Sequence, residues 1–246
     1  EAALFKRAVL AAAPHASDDG YLVVVVVTRD YVHMFRNWAN SARAALSLSA
    51  VSAGTAGSSA GTAGSLRSGL PLGQLLPALV ITPDSDVVAV AERYGAAPLL
   101  VAGGDTSLNT PSERPFGTTE YQQLMLLRTR VVLTLLHSHM SPIVADIDTV
   151  WQPDPLEVVR RHSHINTNTP SDGPSQRVTT DVMIVDDNGE WCGCFVVLHA
   201  GPRTLAFWRE VHKQHASLLH SAEAATIHEK DSDGVGSRAM PDLLES

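Results

Sequence analysis

Two aspartates, Asp146 and Asp148, stand one residue apart near the end of "PIVADIDTVW" (142–151), an otherwise apolar run. Alternate residues of a strand point to the same face. The spacing therefore predicts Val144, Asp146 and Asp148 on one side, and Ile143, Ala145 and Ile147 on the other. Two neighbouring carboxylates repel, and burying them unpaired costs several kcal/mol. A hard divalent cation with oxygen ligands removes that cost, and Mg2+ or Mn2+ keeps positions open for phosphate oxygens. The chemistry expected is a metal-assisted grip on a diphosphate, with Asp146 and Asp148 as metal ligands. An Asp-x-Asp pair that merely caps a helix or braces a loop is the competing reading.

The elements that would hold this pair follow from hydrophobic patterning. "YLVVVVVT" (21–28) is apolar and β-branched throughout, as a strand buried on both faces of a parallel sheet must be. Asp30 can cap the helix after it, with Met34, Phe35 and Trp38 on one side. "SAGTAGS" then occurs twice in succession, at 52–58 and 59–65, inside a low-complexity stretch, 49–69, that predicts a flexible surface insertion. "ALVIT" (78–82) is a second strand. The helix after it is capped by Asp84 or Ser85 and stopped by Gly95. "PLLVAGG" (98–104) is a third strand, followed by the polar loop "DTSLNTPSERPFG" (105–117). A long helix over 119–140 is expected, with Thr119 and Gln122 at capping-box spacing and Leu124, Leu127, Val131 and Leu135 as its buried stripe. His137 and His139 occupy its last turn, Pro142 ends it, and "IVADID" is the fourth strand. Strands alternating with helices define an α/β fold with a mostly parallel sheet covered on both faces. Ligands of such sheets sit at the carboxyl ends of the strands. Asp146 and Asp148 lie at one such end; Thr28 and Arg29 lie at another.

Composition narrows the partners. The 246 residues suit one sizeable domain, read as 1–246 with its C-terminus open to truncation, and 44% hydrophobic with 18% charged residues is a globular balance. A formal net charge of −8 without a Lys/Arg cluster argues against nucleic acid or an anionic membrane surface as partner. An acidic protein gripping an anionic substrate needs local positive charge, which again points to a metal ion at the aspartates. The longest apolar runs fall well short of the ~20 residues of a membrane span, and the N-terminus shows no signal-peptide pattern. Cys192 and Cys194 in "WCGCF" are alternate residues of one expected strand, which cannot easily bridge each other, so no disulfide framework is expected.

"DIDTV" also fits the Asp-x-Asp-x-Thr/Val signature of haloacid-dehalogenase phosphatases, and "VMIVDDNG" (182–189) resembles their later acidic motif. That signature normally opens its fold on the first strand, whereas three strand–helix units precede Asp146 here. The gap from Asp146 to Asp186 is also too short for the intervening units. A different likeness accounts for more of the chain. "FGTTEYQQLMLLRTRVVLTLLHSHMSPIVADIDTVWQPDPLEVV" (116–159) resembles the nucleotide-diphospho-sugar transferase family, which includes plant and algal xylosyl-, arabinosyl- and galactosyl-transferases. An Arg/Lys-bearing helix, a hydrophobic strand, Asp-x-Asp-x-x-Trp and a short Pro-containing segment follow in the family's order. "VVVTRDYVHMFRNWANSAR" (25–43) resembles its first strand and helix, and "CGCFVVLHAGPRTLAFWREV" (192–211) its later strand, turn and helix.

The resemblance implies a GT-A (Rossmann-like) fold and transfer of a sugar from a nucleotide donor, usually UDP-linked, to a hydroxyl of a glycan or glycoprotein acceptor, with retention. It also implies Mn2+ (or Mg2+) as cofactor and a Golgi-lumenal setting, with any membrane anchor outside this segment. Asp148 would be the main metal ligand, and Asp146 would touch the metal or the ribose. Thr28 and Arg29 are candidates for the nucleotide end, against a solvated loop; Arg130 is a candidate for the diphosphate, against an exposed helix charge. Asp233 stands where the family carries a catalytic acidic-Gln pair, but Gly234 follows it in place of Gln. Asp181 and Asp186 could line an acceptor pocket, although "DDNG" is equally a turn. Trp191 and Trp208 could stack on sugars, with core packing the favoured alternative. A nucleotide-sugar-binding chain without turnover is the non-enzymatic alternative.

Overall fold

The structure is a computed structural model that describes residues 2–17, 19–55, 75–101, 118–152, 155–166, 177–187 and 189–233. In chain order, α1 (Ala2–Ala12) precedes β1 (Tyr21–Val26), α2 (Val32–Thr55), β2 (Ala78–Thr82), α3 (Ser85–Arg93) and β3 (Ala97–Leu100). Then follow α4 (Thr119–His137), β4 (Ser141–Ala145), α5 (Pro155–Ser163), β5 (His164–Asn166), β6 (Arg177–Thr179), β7 (Val182–Asp187), β8 (Glu190–Leu198) and α6 (Pro202–Asp233). Six strands make one sheet in the order β3-β2-β1-β4-β8-β7, and β5 pairs with β6 alone. The first four in that order are parallel; β8 runs antiparallel to β4, and β7 antiparallel to β8. This is the α/β arrangement expected.

Period-two patterning divides the core into two layers. Val23, Val25 and Val27 face Phe35 and Trp38 of α2, Val87 of α3 and Leu156 of α5. Leu22 and Val24 face Val131 and Leu135 of α4, Ala8 of α1 and Trp208 of α6. Every β1 residue from Tyr21 to Val25 is buried, each large one contributing about 1.5–3 kcal/mol relative to exposure. A strand packed on both faces cannot carry polar residues until it emerges, so the first polar positions mark the sheet's rim.

From β1 the chain winds outward through β2 to β3. It then returns along α4, on the opposite face from α2 and α3, to enter β4 on the other side of β1. The strand order therefore reverses between β1 and β4, the point at which open α/β sheets leave a crevice.

The structure revises several boundaries. β4 ends at Ala145, so Asp146 and Asp148 belong to the turn after the strand and not to its pleat. The N-cap of α4 is Thr118, whose hydroxyl accepts from the Tyr121 amide at 3.2 Å, one residue before the capping box expected at Thr119 and Gln122. Asp30 lies within a 3-10 turn, Arg29–Tyr31, that leads into α2. That helix runs on to Thr55, so the first seven residues of the expected insertion are helical; 56–69 and the 105–117 loop lie outside the described residues. β7 and β8 form a hairpin at "DDNG": Asp186 and Asp187 end β7, Asp187 pairs with Glu190, and Gly189 takes φ +89°, in the left-handed region that favours glycine.

Cys192 and Cys194 are bridged, contrary to expectation. The expectation assumed a regular pleat. β8 instead bulges: Ile184 pairs with Val196 and Val185 with Cys192, so residues 193–195 have no partner on β7. The two Cα atoms come to 5.2 Å, within the usual span of about 4.4–6.8 Å.

Candidate functional site

A cleft of about 240 Å³ opens at the β1/β4 switch point. Val26 and Thr28 reach it from the end of β1, Tyr31 and Met34 from the entry to α2, and Asp146, Ile147 and Asp148 from the turn after β4. Tyr121, Leu124, Met125 and Arg128 supply the wall from α4. These four positions recur at helical spacing, so one face of the first turns of α4 lies against the cleft. Apolar walls with a few convergent polar groups are the usual constitution of a small-molecule site.

Both aspartates therefore line one cleft, although a turn rather than a strand puts them there. The turn is closed by the Asp146 carbonyl, which accepts from the Thr149 hydroxyl at 2.7 Å and from the Thr149 amide at 3.4 Å. On its other side the Asp146 amide donates to the Cys194 carbonyl at 2.9 Å. Asp146 Oδ1 pairs with Arg128 Nη1 at 3.2 Å, and the Arg128 side chain is only 18% exposed. Asp148 is exposed and, among the described residues, has no ionic or hydrogen-bonding partner. Burial pushes the Tyr121 phenol above its ordinary range; Asp146 and Tyr31 add to the shift and Arg128 opposes it. Tyr121 thus keeps its proton where it lines the cleft.

The carboxylates fit a hard divalent cation. They offer oxygen donors, and Asp148 has no competing partner among the described residues. No cluster of three or more His, Cys, Asp or Glu exists among the described residues. A cation held by these two side chains would keep most positions for water and phosphate oxygens, which suits Mg2+ or Mn2+.

The structure separates the other expected residues. Thr28 lines the cleft, but Arg29 does not: its guanidinium is held by Asp86 of α3 at 2.8 and 3.2 Å, and its amide donates to Asp84 at 2.8 Å. That contact also holds the Asp86 carboxyl below its ordinary range. Arg130 is displaced as well. Its guanidinium lies 5.9 Å from the ring centre of Phe5 in α1, and the basic residue of α4 that meets the aspartates is Arg128. Residues two apart on a helix differ by about 200° in direction. Arg128 follows Leu124 of the expected stripe by four residues and Arg130 follows Leu127 by three, so the stripe alone does not choose between them.

The backbone of Asp233 lies far along α6 from the cleft wall. It ends α6, 18 residues beyond His215, which contacts Gln122 beside the cleft wall; that separation is about 27 Å along a helix. Asp181 pairs with Arg203 at 3.0 Å near the start of β7, at the opposite end of the sheet from the aspartates. Asp186 lies near the hairpin turn, where its side chain accepts from the Gly189 amide at 2.7 Å. Trp208 is core, its indole donating to the Thr129 carbonyl at 2.9 Å. Trp191 departs from the favoured core reading and is 75% exposed on the hairpin.

A reversed-order α/β sheet with paired carboxylates at its switch point is of the class whose ligands bind at the carboxyl ends of the strands. Residues 76–233 match the nucleotide-diphospho-sugar transferase family, more than half of the chain, and the chain belongs to that family. Its activity is accordingly of the glycosyltransferase type, and the phosphatase reading of "DIDTV" is left without support. No curated protein and no solved structure matches the chain.

Proposed function

We propose that this chain is a divalent-cation-dependent glycosyltransferase that takes a sugar from a UDP-linked donor and transfers it to a hydroxyl of a glycan or glycoprotein, with retention. One observation carries the reading: Asp146 and Asp148 share the cleft at the β1/β4 switch point of a chain that belongs to a nucleotide-sugar transferase family.

In this reading Asp148 is the principal ligand of Mn2+ or Mg2+, and Asp146 is shared between the cation and the nucleotide. When bound, the cation supplies positive charge where the departing nucleoside diphosphate becomes more negative, an interaction that strengthens towards the transition state. Arg128 holds Asp146 in place and presents remaining guanidinium donors to the diphosphate. Tyr121 lines the α4 wall, and Thr28 with Met34 borders the nucleotide end. The apolar contributions of Val26, Leu124 and Met125 exclude water from one side of the diphosphate, which strengthens each of these polar contacts. The acceptor is placed towards the β7–β8 hairpin, which lies at the same end of the sheet and displays Trp191. A setting in the lumen of the secretory pathway is part of the proposal; the Cys192–Cys194 bridge favours such an oxidising compartment.

Calorimetric titration of UDP with and without Mn2+ tests the donor site. Binding is expected only with the cation, and Asp148→Ala is expected to abolish it. Because Asp148 is exposed and unpartnered among the described residues, the same variant should change stability by less than about 0.5 kcal/mol. Unchanged binding in Asp148→Ala would overturn the assignment. A panel of UDP- and GDP-sugars, read by cation-dependent thermal stabilisation, identifies the donor.

A further inference from the structure

The bridged pair lies one hydrogen bond from the first aspartate, and the bonds between them form a connected set. Cys194 directly precedes Phe195, which pairs with Ala145 of β4, so its partner in the antiparallel ladder is Asp146. In a regular antiparallel ladder every second opposite pair exchanges two hydrogen bonds, and Asp146 with Cys194 falls in that set. Here only one is made: the Asp146 amide donates to the Cys194 carbonyl at 2.9 Å. The Cys194 amide, which would complete the exchange by donating to the Asp146 carbonyl, is turned aside and donates to Cys192 Sγ at 3.2 Å. The Asp146 carbonyl is thereby left for Thr149, whose hydroxyl and amide close the turn that carries Asp148. The bulge at residues 193–195 supplies the extra chain that permits this diversion.

We propose that the Cys192–Cys194 bridge is a positioning clasp for the aspartate pair: by occupying the Cys194 amide it ends β4 at Ala145 and selects the turn that brings Asp146 and Asp148 into one cleft. Opening the bridge frees the Cys194 amide to complete the ladder with Asp146, extending β4 by one pair and withdrawing the carbonyl that Thr149 uses. Asp146 then joins the strand, and the turn that places Asp148 loses the bonds that close it. The chemistry is ordinary thiol–disulfide exchange. A dithiol reductant delivers two electrons and two protons, the S–S bond breaks to give two cysteine thiols, and the reductant becomes its own disulfide. Cys192 and Cys194 are both partly solvent-accessible, so such a reagent can reach them.

The clasp itself stands on the bridge and the hydrogen bonds around it; its effect on affinity rests on the donor-site reading above. The test separates the two. Amide hydrogen exchange on the full chain, without ligand, is compared before and after treatment with a phosphine or dithiol reductant, with alkylation and mass measurement scoring the bridge. Exchange at Thr149 and Cys194 is expected to change on reduction and to return on reoxidation, while the buried strands β1 and β2 stay protected. In parallel, UDP with Mn2+ is titrated into both forms. Outer residues that orient metal ligands typically carry about ten- to a hundredfold in affinity, and a loss of that order on reduction, restored by reoxidation, is expected. The double variant Cys192→Ala with Cys194→Ala should show the reduced-form affinity and no response to reductant.

Two thiols that alkylate fully without reductant would overturn the proposal. So would unchanged Thr149 and Cys194 exchange on reduction. If exchange responds as expected but the oxidised chain binds no UDP, the clasp stands and the donor-site reading falls.

Discussion

Arg128 and Arg130 stand two residues apart on α4, and the cleft receives only the first. A hydrogen bond to a charged group contributes about 1.5–3 kcal/mol. Arg128→Ala is therefore expected to weaken cation-dependent UDP binding roughly ten- to a hundredfold by calorimetry. Arg130→Ala, which removes a contact with Phe5 on the far side of the helix, should leave that binding within about twofold. Equal losses in the two variants would contradict the placement of Arg128. The aspartates could be found without coordinates because they end an apolar run at the rim of a parallel sheet, where little else places two carboxylates together. Arg128 could not be chosen over Arg130 in the same way. That choice needs the rotational phase of α4, which is set by its contacts with α1 and α6 on the same face of the sheet. Tyr121 and Tyr31 were missed for a related reason: a tyrosine on a helix face reads as core until the pocket beside it is known.

Two helices end in the same backbone motif with different residues. After α3, Gly95 takes φ +75°, its amide bonds the Glu92 carbonyl, and Ala96 reaches back to Ala91. After α4, His139 takes φ +59°, bonding Leu136, and Met140 reaches back to Leu135. Both follow the Schellman pattern, which favours glycine at the left-handed position. His139→Gly is expected to stabilise the fold by about 0.5–1 kcal/mol, seen as a raised midpoint in urea, because relief of the left-handed strain outweighs the added freedom of the unfolded chain. A lowered midpoint would mean that the His139 side chain contributes more than its backbone costs. Helix α3, its start at Asp84 and its stop at Gly95 were plain in the sequence, since local signals suffice there. The end of α4 was placed too late because a histidine in a glycine's role leaves no compositional mark. The bulge in β8 was equally hidden, since an irregularity between two strands depends on a partner that the strand's own residues do not encode.

Across the whole molecule, α4 and α6 enclose two histidines. Burial holds His212 below the ordinary imidazole range, with Arg130 adding to the effect. Burial does the same to His215, helped by Arg128 and by His212. The unfolded chain therefore takes up these protons at a higher pH than the folded one, so acid favours unfolding. Stability should be level above the unfolded value of about 6.5 and fall as pH drops below it. Replacing both histidines by Gln should flatten that limb of a urea-midpoint profile; a limb of unchanged slope would assign the acid sensitivity elsewhere. The layering of the core has one more consequence. Trp38, Trp151 and Trp208 are buried at 1%, 5% and 7% exposure, whereas Trp191 is 75% exposed. Under excitation the first three should emit as shielded indoles and Trp191 as a hydrated one at longer wavelength. Dissolved iodide then quenches chiefly Trp191, so the β7–β8 hairpin reports on its own surroundings without an attached dye.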